Sequence, residues 1–272
     1  MNTKELMNIA LKAAGLTEMP ADCGIIVEGE NIKKVLMGVD MDTPELMLAK
    51  QLGYDCVVSH HPRNTNAAML EVMNDHICKL EALGVPRNRS QKLLDKRKDV
   101  LSYNQHVSNS RRSESAAKLM GMPYMCIHTP TDIIGEAMVQ NHLDAKFKNK
   151  PETTLEEVCA AIEEICEYKN AVRKPVIRVG NKDSYAGKIY VLMSGLTGPG
   201  ADVTKEYFEA GVGTLILMHI PESDVKAIKE QDIGNVIVAG HMSSDSIGLN
   251  KVAEEWAKHG IETTMMSGVI EK

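Results

Sequence analysis

The sequence predicts an α/β protein made of two related α/β lobes with mostly parallel sheets. Three observations predict it. Short apolar runs alternate along the chain with stretches of helical pattern. The runs are continuously apolar, as in strands buried on both faces. The order of runs, helices and polar strand ends then recurs in the second half.

In the first half, Lys34 to Asp40 (KVLMGVD) reads as a buried strand. Thr43-Pro44-Glu45 follows as an N-cap with proline at the first helical position, and that helix ends near Gly53. Cys56 to Ser59 is a second strand, leading into His60 and His61. A helix from about Ala67 to Ala82 stops at Gly84. Asp99 to Tyr103 reads as a strand leading to His106, followed by a helix from about Ser113 to Met120. Tyr124 to Ile127 is a further strand, leading to His128.

The second half repeats this order. Lys188 to Ser194 is a strand, Gly195 to Gly200 a turn, and Asp202 to Ala210 a helix. Thr214 to Met218 leads to His219, and a helix from Ser223 to Glu230 follows. Asn235 to Ala239 leads to His241, with a last helix near Gly248 to Lys258 and a final run at Thr263 to Met266. His61 then matches His219 and His106 matches His241, with Ser110 and Asp245 four residues beyond the latter pair. These parallels place a first lobe at 1–131, a connecting segment at 132–187 and a second lobe at 188–272. The connecting segment carries a helix opening at Pro151 to Glu157 and a strand at Lys174 to Val179. In open α/β sheets, ligands bind at the carboxyl ends of the strands, where these histidines fall.

Composition narrows the function. The chain has 272 residues, 43% hydrophobic and 25% charged, as in ordinary globular proteins. A net charge of −6 argues against a nucleic-acid partner. The six cysteines are scattered without a C-x-x-C pair, which fits reduced thiols and a cytoplasmic location. The start Met1-Asn2-Thr3-Lys4-Glu5 has no apolar stretch of a signal peptide, and no run is long enough to span a membrane.

The sharpest chemical signal is Ser59-His60-His61-Pro62 together with Gly240-His241-Met242-Ser243-Ser244-Asp245. Imidazole and carboxylate donors gathered at strand ends suit a divalent transition metal. Ser243, Ser244 and Asp245 also suit the cap of a helix, a role compatible with metal binding.

The run Gly38-Val39-Asp40, Thr43-Pro44 and Val57 to Pro62, with the late Gly240 to Asp245 motif, resembles the GTP cyclohydrolase I type-two family, also called the Nif-three-like dinuclear metal-centre family. The resemblance implies two α/β lobes with a two-metal site between them and a ring-shaped homohexamer. It implies metal ligands at His60, His61, His241 and Asp245. A middle motif, His followed four residues later by a ligating Asp, falls on His106 to Ser110, so that Ser110 stands where the family has its carboxylate. A neutral hydroxyl is a poorer ligand, which leaves one or two ions per subunit open. Glu114, His106 and His128 are other candidates there.

Around this set, Asp40 is expected to hydrogen-bond a ligand histidine or a helix N-terminus. His219 is expected to support the site or the structure and not to be a ligand. His76, His142 and His259 are expected at the surface. The turn at Gly195 to Gly200 suits a simple turn better than an anion cradle. The basic stretch Arg87 to Lys98 suits a solvated face, while Arg111 and Arg112 are the phosphate-binding candidates. The leading function is a metal-dependent hydrolase, GTP cyclohydrolase-like or acting on a phosphoester, with zinc, iron, manganese, cobalt or nickel and a small molecule such as a nucleotide as substrate. His106 or Glu114 are the general-base candidates. The alternative is a non-catalytic metal-binding scaffold or regulatory oligomer.

Overall fold

The computed structural model describes residues 1–62, 66–105 and 111–272. Chain order runs α1 (Thr3–Ala13), β1 (Gly24–Val27), β2 (Lys34–Gly38), α2 (Thr43–Leu52), β3 (Cys56–Ser59), α3 (Asn66–Val72), α4 (Asp75–Ala82), α5 (Arg87–Gln105), α6 (Arg112–Met120), β4 (Tyr124–Cys126) and α7 (His128–Phe147). It continues α8 (Leu155–Ile162), α9 (Cys166–Asn170), β5 (Val176–Val179), β6 (Ile189–Leu192), α10 (Ala201–Glu209), β7 (Thr214–Leu217), α11 (Glu222–Gln231), β8 (Asn235–Val238), α12 (His241–Ala257) and β9 (Glu262–Met266).

Local chemistry sets several boundaries. Asp42, one residue before the expected cap, accepts from Thr43 N, and Glu45 reaches back to the cap in a capping box. Gly53 closes that helix at φ 76°, a conformation that favours glycine. Thr154 and Glu157 cap α8 in the same way.

The chain folds as two compact units assembled from separated segments. The first contains Met1–Val72, Asn104–Ile134 and Asp245–Lys272; the second contains Met73–Tyr103 and Gly135–Ser244. Among the described residues, the first unit has a sheet in the order β1-β4-β3-β2-β9 and the second a sheet in the order β5-β8-β7-β6. Pairing is parallel except at β1 with β4 and at β5 with β8. The internal repeat is therefore real at the level of topology. Each sheet has an antiparallel edge strand beside three parallel strands in the same sequential order, and the first sheet adds β9 in parallel at its far edge.

The first unit is filled by Leu36, Met41, Leu46, Ala49, Val57, Ala117, Met122 and Tyr124. Each of the larger side chains stabilises the fold by about 1.5–3 kcal/mol on burial. The Tyr124 hydroxyl finds an acceptor at Met41 O, 2.7 Å away, and the Trp256 indole N–H donates to Leu6 O at 3.0 Å. In the second unit, Leu215, Ile216 and Leu217 of β7 and Val236 and Ile237 of β8 are fully buried.

Several expectations are corrected. Asp99 to Tyr103 is the end of helix α5, not a strand. Its apolar residues do not line a core: Val100 and Tyr103 are 54% and 76% exposed. The final run does not join the second lobe's sheet, because β9 pairs in parallel with β2 from Lys34↔Glu262 to Gly38↔Met266. The last helix begins at His241, seven residues before the expected start. The basic stretch is partly engaged in ion pairs: within the second unit Arg89 meets Glu206 at 2.7 Å and Lys96 meets Asp202 at 3.4 Å. His76 is fully buried, not at the surface.

Candidate metal centre

The carboxyl end of β3 carries two imidazoles on a continued ladder. His60 N donates to Gly38 O and His61 N to Val39 O, both at 2.9 Å. The chain bends here, so both rings fall on the same side, with centroids 5.0 Å apart; His60 is buried while the His61 side chain is 23% exposed. The end of β4 adds a third imidazole. Ile127 N donates to Ser59 O at 3.1 Å, and the next residue, His128, opens α7. One helical turn on, Asp132 returns to the same place. Helix α12 supplies Asp245, one turn after its first residue, His241.

The contacts form one pattern. His60 Nδ1 lies 2.8 Å from Thr131 Oγ1, and that hydroxyl donates to Ile127 O or His128 O at 2.8 and 2.7 Å. Thr131 therefore accepts from His60 Nδ1–H, which assigns the tautomer and leaves the Nε2 lone pair in the cleft. His60 Nε2 faces Asp132 Oδ1 at 3.4 Å and Asp245 Oδ1 at 3.5 Å. His61 Nδ1 is held by Asp40 Oδ1 at 3.0 Å, and its Nε2 faces Asp245 Oδ2 at 3.6 Å. His128 Nδ1 is held by Asp22 Oδ2 at 2.6 Å, and its Nε2 faces Asp132 Oδ2 at 3.7 Å. Each ring is thus fixed through Nδ1 by an oxygen and turned with Nε2 toward carboxylates, which is how metal-binding histidines are oriented. The two oxygens of Asp245 address different imidazoles.

Electrostatics follow from burial and from these acids. Burial lowers His60 to about 4 against the opposing pull of Asp245. Burial also lowers His61, against Asp245 and Asp40. His128 goes the other way: burial disfavours its charge, but Asp132, Asp22 and Asp245 together raise it to about 9. Burial raises Asp22, yet His128, Thr129 and Cys23 hold its carboxyl below the usual range.

The residues present fit a divalent ion. A neutral imidazole lone pair turned toward two carboxylate oxygens is unfavourable in a buried place unless a cation lies between them. Single donor atoms of His60, His61 and His128 lie within 4.8 Å of one another, as do those of His60, Asp132 and Asp245. Mixed nitrogen and oxygen donors of this kind suit zinc, iron, manganese, cobalt or nickel.

The other sequence candidates sit as follows. Asp40 meets His61 Nδ1 from an exposed position two residues beyond β2. Glu114 is on α6, paired with Lys118 and 3.9 Å from Arg111. Arg111, at φ 65°, and Arg112 are exposed at the start of α6. His219 follows β7 and lies with its ring centroid 4.8 Å from that of His241. His106 and Ser110 lie outside the described residues. Asp132 and Asp22 are site residues that the sequence motifs do not single out. A signal for Asp132 exists: His128 and Asp132 have the same four-residue spacing as His241 and Asp245.

The sequence profile of Duf34/NIF3 (NGG1p interacting factor 3) matches residues 1–270. The chain belongs to the DUF34/NIF3 family. Its fold is that of a NIF3 superfamily protein from Sphaerobacter thermophilus, with TM-score 0.93, 30% identity and 98% of each chain covered. Reduced HcgD from Methanocaldococcus jannaschii is similar at TM-score 0.60 and 16% identity, with 97% of each chain covered. TTHA1606 from Thermus thermophilus is similar at TM-score 0.57 and 16% identity, covering 100% of this chain and 99% of that one. No curated protein matches the sequence. Among the described residues, no helix of this family member is long and apolar enough to cross a membrane.

Proposed function

We propose that the protein is a metal-dependent hydrolase, GTP cyclohydrolase-like or acting on a phosphoester, with one or two divalent ions held by donors drawn from His60, His61, His128, Asp132, Asp245 and His241. The observation that carries this reading is the shared orientation of His60 and His61. Both are anchored through Nδ1 and present Nε2 to Asp245, whose two oxygens lie 3.5 and 3.6 Å from them. A carboxylate addressing two imidazoles in this way suits a bridging ligand, and His241 lies one turn earlier on the same helix.

When bound, divalent ions at such a centre supply Lewis acidity toward a phosphoryl or carbonyl oxygen. The chain's own residues do the rest. Thr131, Asp40 and Asp22 fix the three rings and their tautomers. Asp132 and Asp245 offer buried carboxylate oxygens that would hold an ion beside His60. Arg111 and Arg112, exposed and cationic, are the candidates for holding a substrate phosphate.

A non-catalytic metal scaffold draws its support from a serine in place of the middle carboxylate. Asp132 supplies a carboxylate facing His60, which favours the hydrolase. A homohexamer in the cytoplasm belongs to the same reading, and the six free cysteines agree with a reducing compartment.

The test is elemental analysis of protein purified without chelator, followed by a turnover screen over nucleotides and phosphomonoesters. One or two ions per chain, loss of them in His60→Ala, and metal-dependent turnover are expected. A protein that takes up no ion, or that turns over no substrate better than His60→Ala does, would overturn the proposal.

A further inference from the structure

The second unit repeats the strand order of the first, and the repeat extends to one imidazole. Register fixes the match. Leu217 pairs with Val238 as Ser59 pairs with Cys126. Beyond those pairs, Ala239 N donates to Leu217 O at 2.8 Å, just as Ile127 N donates to Ser59 O. Counting onward, His219 stands where His61 stands. The second copy has one more residue before its helix, Gly240, at φ 114°. His241 therefore opens α12 three residues after β8, whereas His128 opens α7 two residues after β4.

His219 and His241 are held side by side by backbone. Gly240 N donates to Met218 O at 3.2 Å. Met218 N donates to Thr197 Oγ1 at 3.0 Å, and Thr197 Oγ1 donates to Leu192 O at 3.1 Å, so the end of β7 is tied to the turn after β6. The result is a ring-centroid separation of 4.8 Å and an interplanar angle of 65° between His219 and His241. In the first unit, the rings of His60, His61 and His128, which share a donor cluster, are separated by 4.7–5.8 Å. His219 is exposed and His241 half-buried.

We propose that His219 is a further metal donor, acting with His241 on one borderline transition-metal ion such as Zn(II) or Co(II). Imidazole pairs favour such ions over Mg(II) or Ca(II). The inference rests on the reading above only in taking His241 as a ligand.

The experiment uses the full chain, stripped of metal and titrated with Co(II), with Zn(II) affinity measured by competition. Four proteins are compared: the natural chain, His219→Gln, His60→Gln, and the double variant. His219→Gln is expected to weaken Zn(II) binding about tenfold or more, since even outer-shell changes cost about 10–100-fold. It is also expected to change the Co(II) d–d bands, which a purely structural histidine would not do. His219 is exposed, so the variant keeps its fold; far-UV circular dichroism and a second variant, His219→Ala, check this. Unchanged affinity and bands on removing His219, with or without His60, overturn the proposal. No effect of His60→Gln alone would sink the hydrolase centre while leaving His219 standing.

Discussion

Gly248 on α12 touches the backbone of Thr131 on α7 with no room for a side chain. A Cβ added at Gly248 would lie 2.1 Å from Thr131 O and 2.6 Å from Thr131 C. This close approach sets the separation of the two helical turns that carry Asp132 and Asp245. Gly248→Ala forces backbone apart, and overpacking of this kind costs about 1–3 kcal/mol or more. The expected result is a melting temperature lower by several degrees together with weaker Zn(II) binding. A variant with unchanged affinity would show that the helix spacing does not govern the site.

Asp22 lies in the stretch between α1 and β1, outside every motif, yet it is buried and accepts from His128 Nδ1 at 2.6 Å and Thr129 Oγ1 at 2.7 Å. Removing one partner of a buried charged pair costs about 3–5 kcal/mol, so Asp22→Ala is expected to unfold at clearly lower urea. Asp22→Asn keeps the volume but not the charge. Its expected signature is Zn(II) affinity reduced about 10–100-fold, read by competition with a chromophoric chelator. Equal affinity for Asp22→Asn and the natural chain would end the orienting role of Asp22.

The parts of this protein legible in its sequence are those written in short contiguous stretches. His60 and His61 follow an apolar run directly, and His241 and Asp245 sit one helical turn apart, so both motifs can be read without knowing the fold. Asp132 is equally readable by spacing, but His106 with Ser110 competes for the same place in the pattern. Asp22 has no pattern at all, because its partner is more than a hundred residues away. The pairing of β9 with β2 is likewise non-local: Glu262-Thr263-Thr264-Met265-Met266 announces a strand but not which sheet receives it. In α5, the apolar pair Val100-Leu101 is too short for its period to separate strand from helix.

The helical state of α5 at this pair is testable. Val100 sits exposed on a helix, and alanine has the higher helix propensity, by up to about 0.7 kcal/mol. Val100→Ala is expected to be neutral or slightly stabilising in urea titrations. A buried strand valine would instead lose about 1.5 kcal/mol or more on truncation. A large destabilisation would contradict the helix.

His76 makes stability depend on pH. It is buried, with Nδ1 3.0 Å from the Tyr207 hydroxyl and Nε2 3.0 Å from Leu196 O. The carbonyl can only accept, so Nε2 carries the proton and Nδ1 accepts from Tyr207. Burial first, and then the Lys79 ammonium, lower His76 to about 4, with Asp75 and the Leu196 carbonyl pulling the other way. The unfolded chain, titrating near 6.5, binds the proton more readily than the folded one. The stabilisation is therefore complete above pH 6.5 and lost as pH falls from there toward 4, by roughly 3 kcal/mol in all. His76→Gln lacks the titrating group. It is expected to be less stable at pH 7.5 but flatter in its urea midpoint between pH 6.5 and 4.5. Parallel pH profiles for the two proteins would mean that His76 already carries its proton in the folded state.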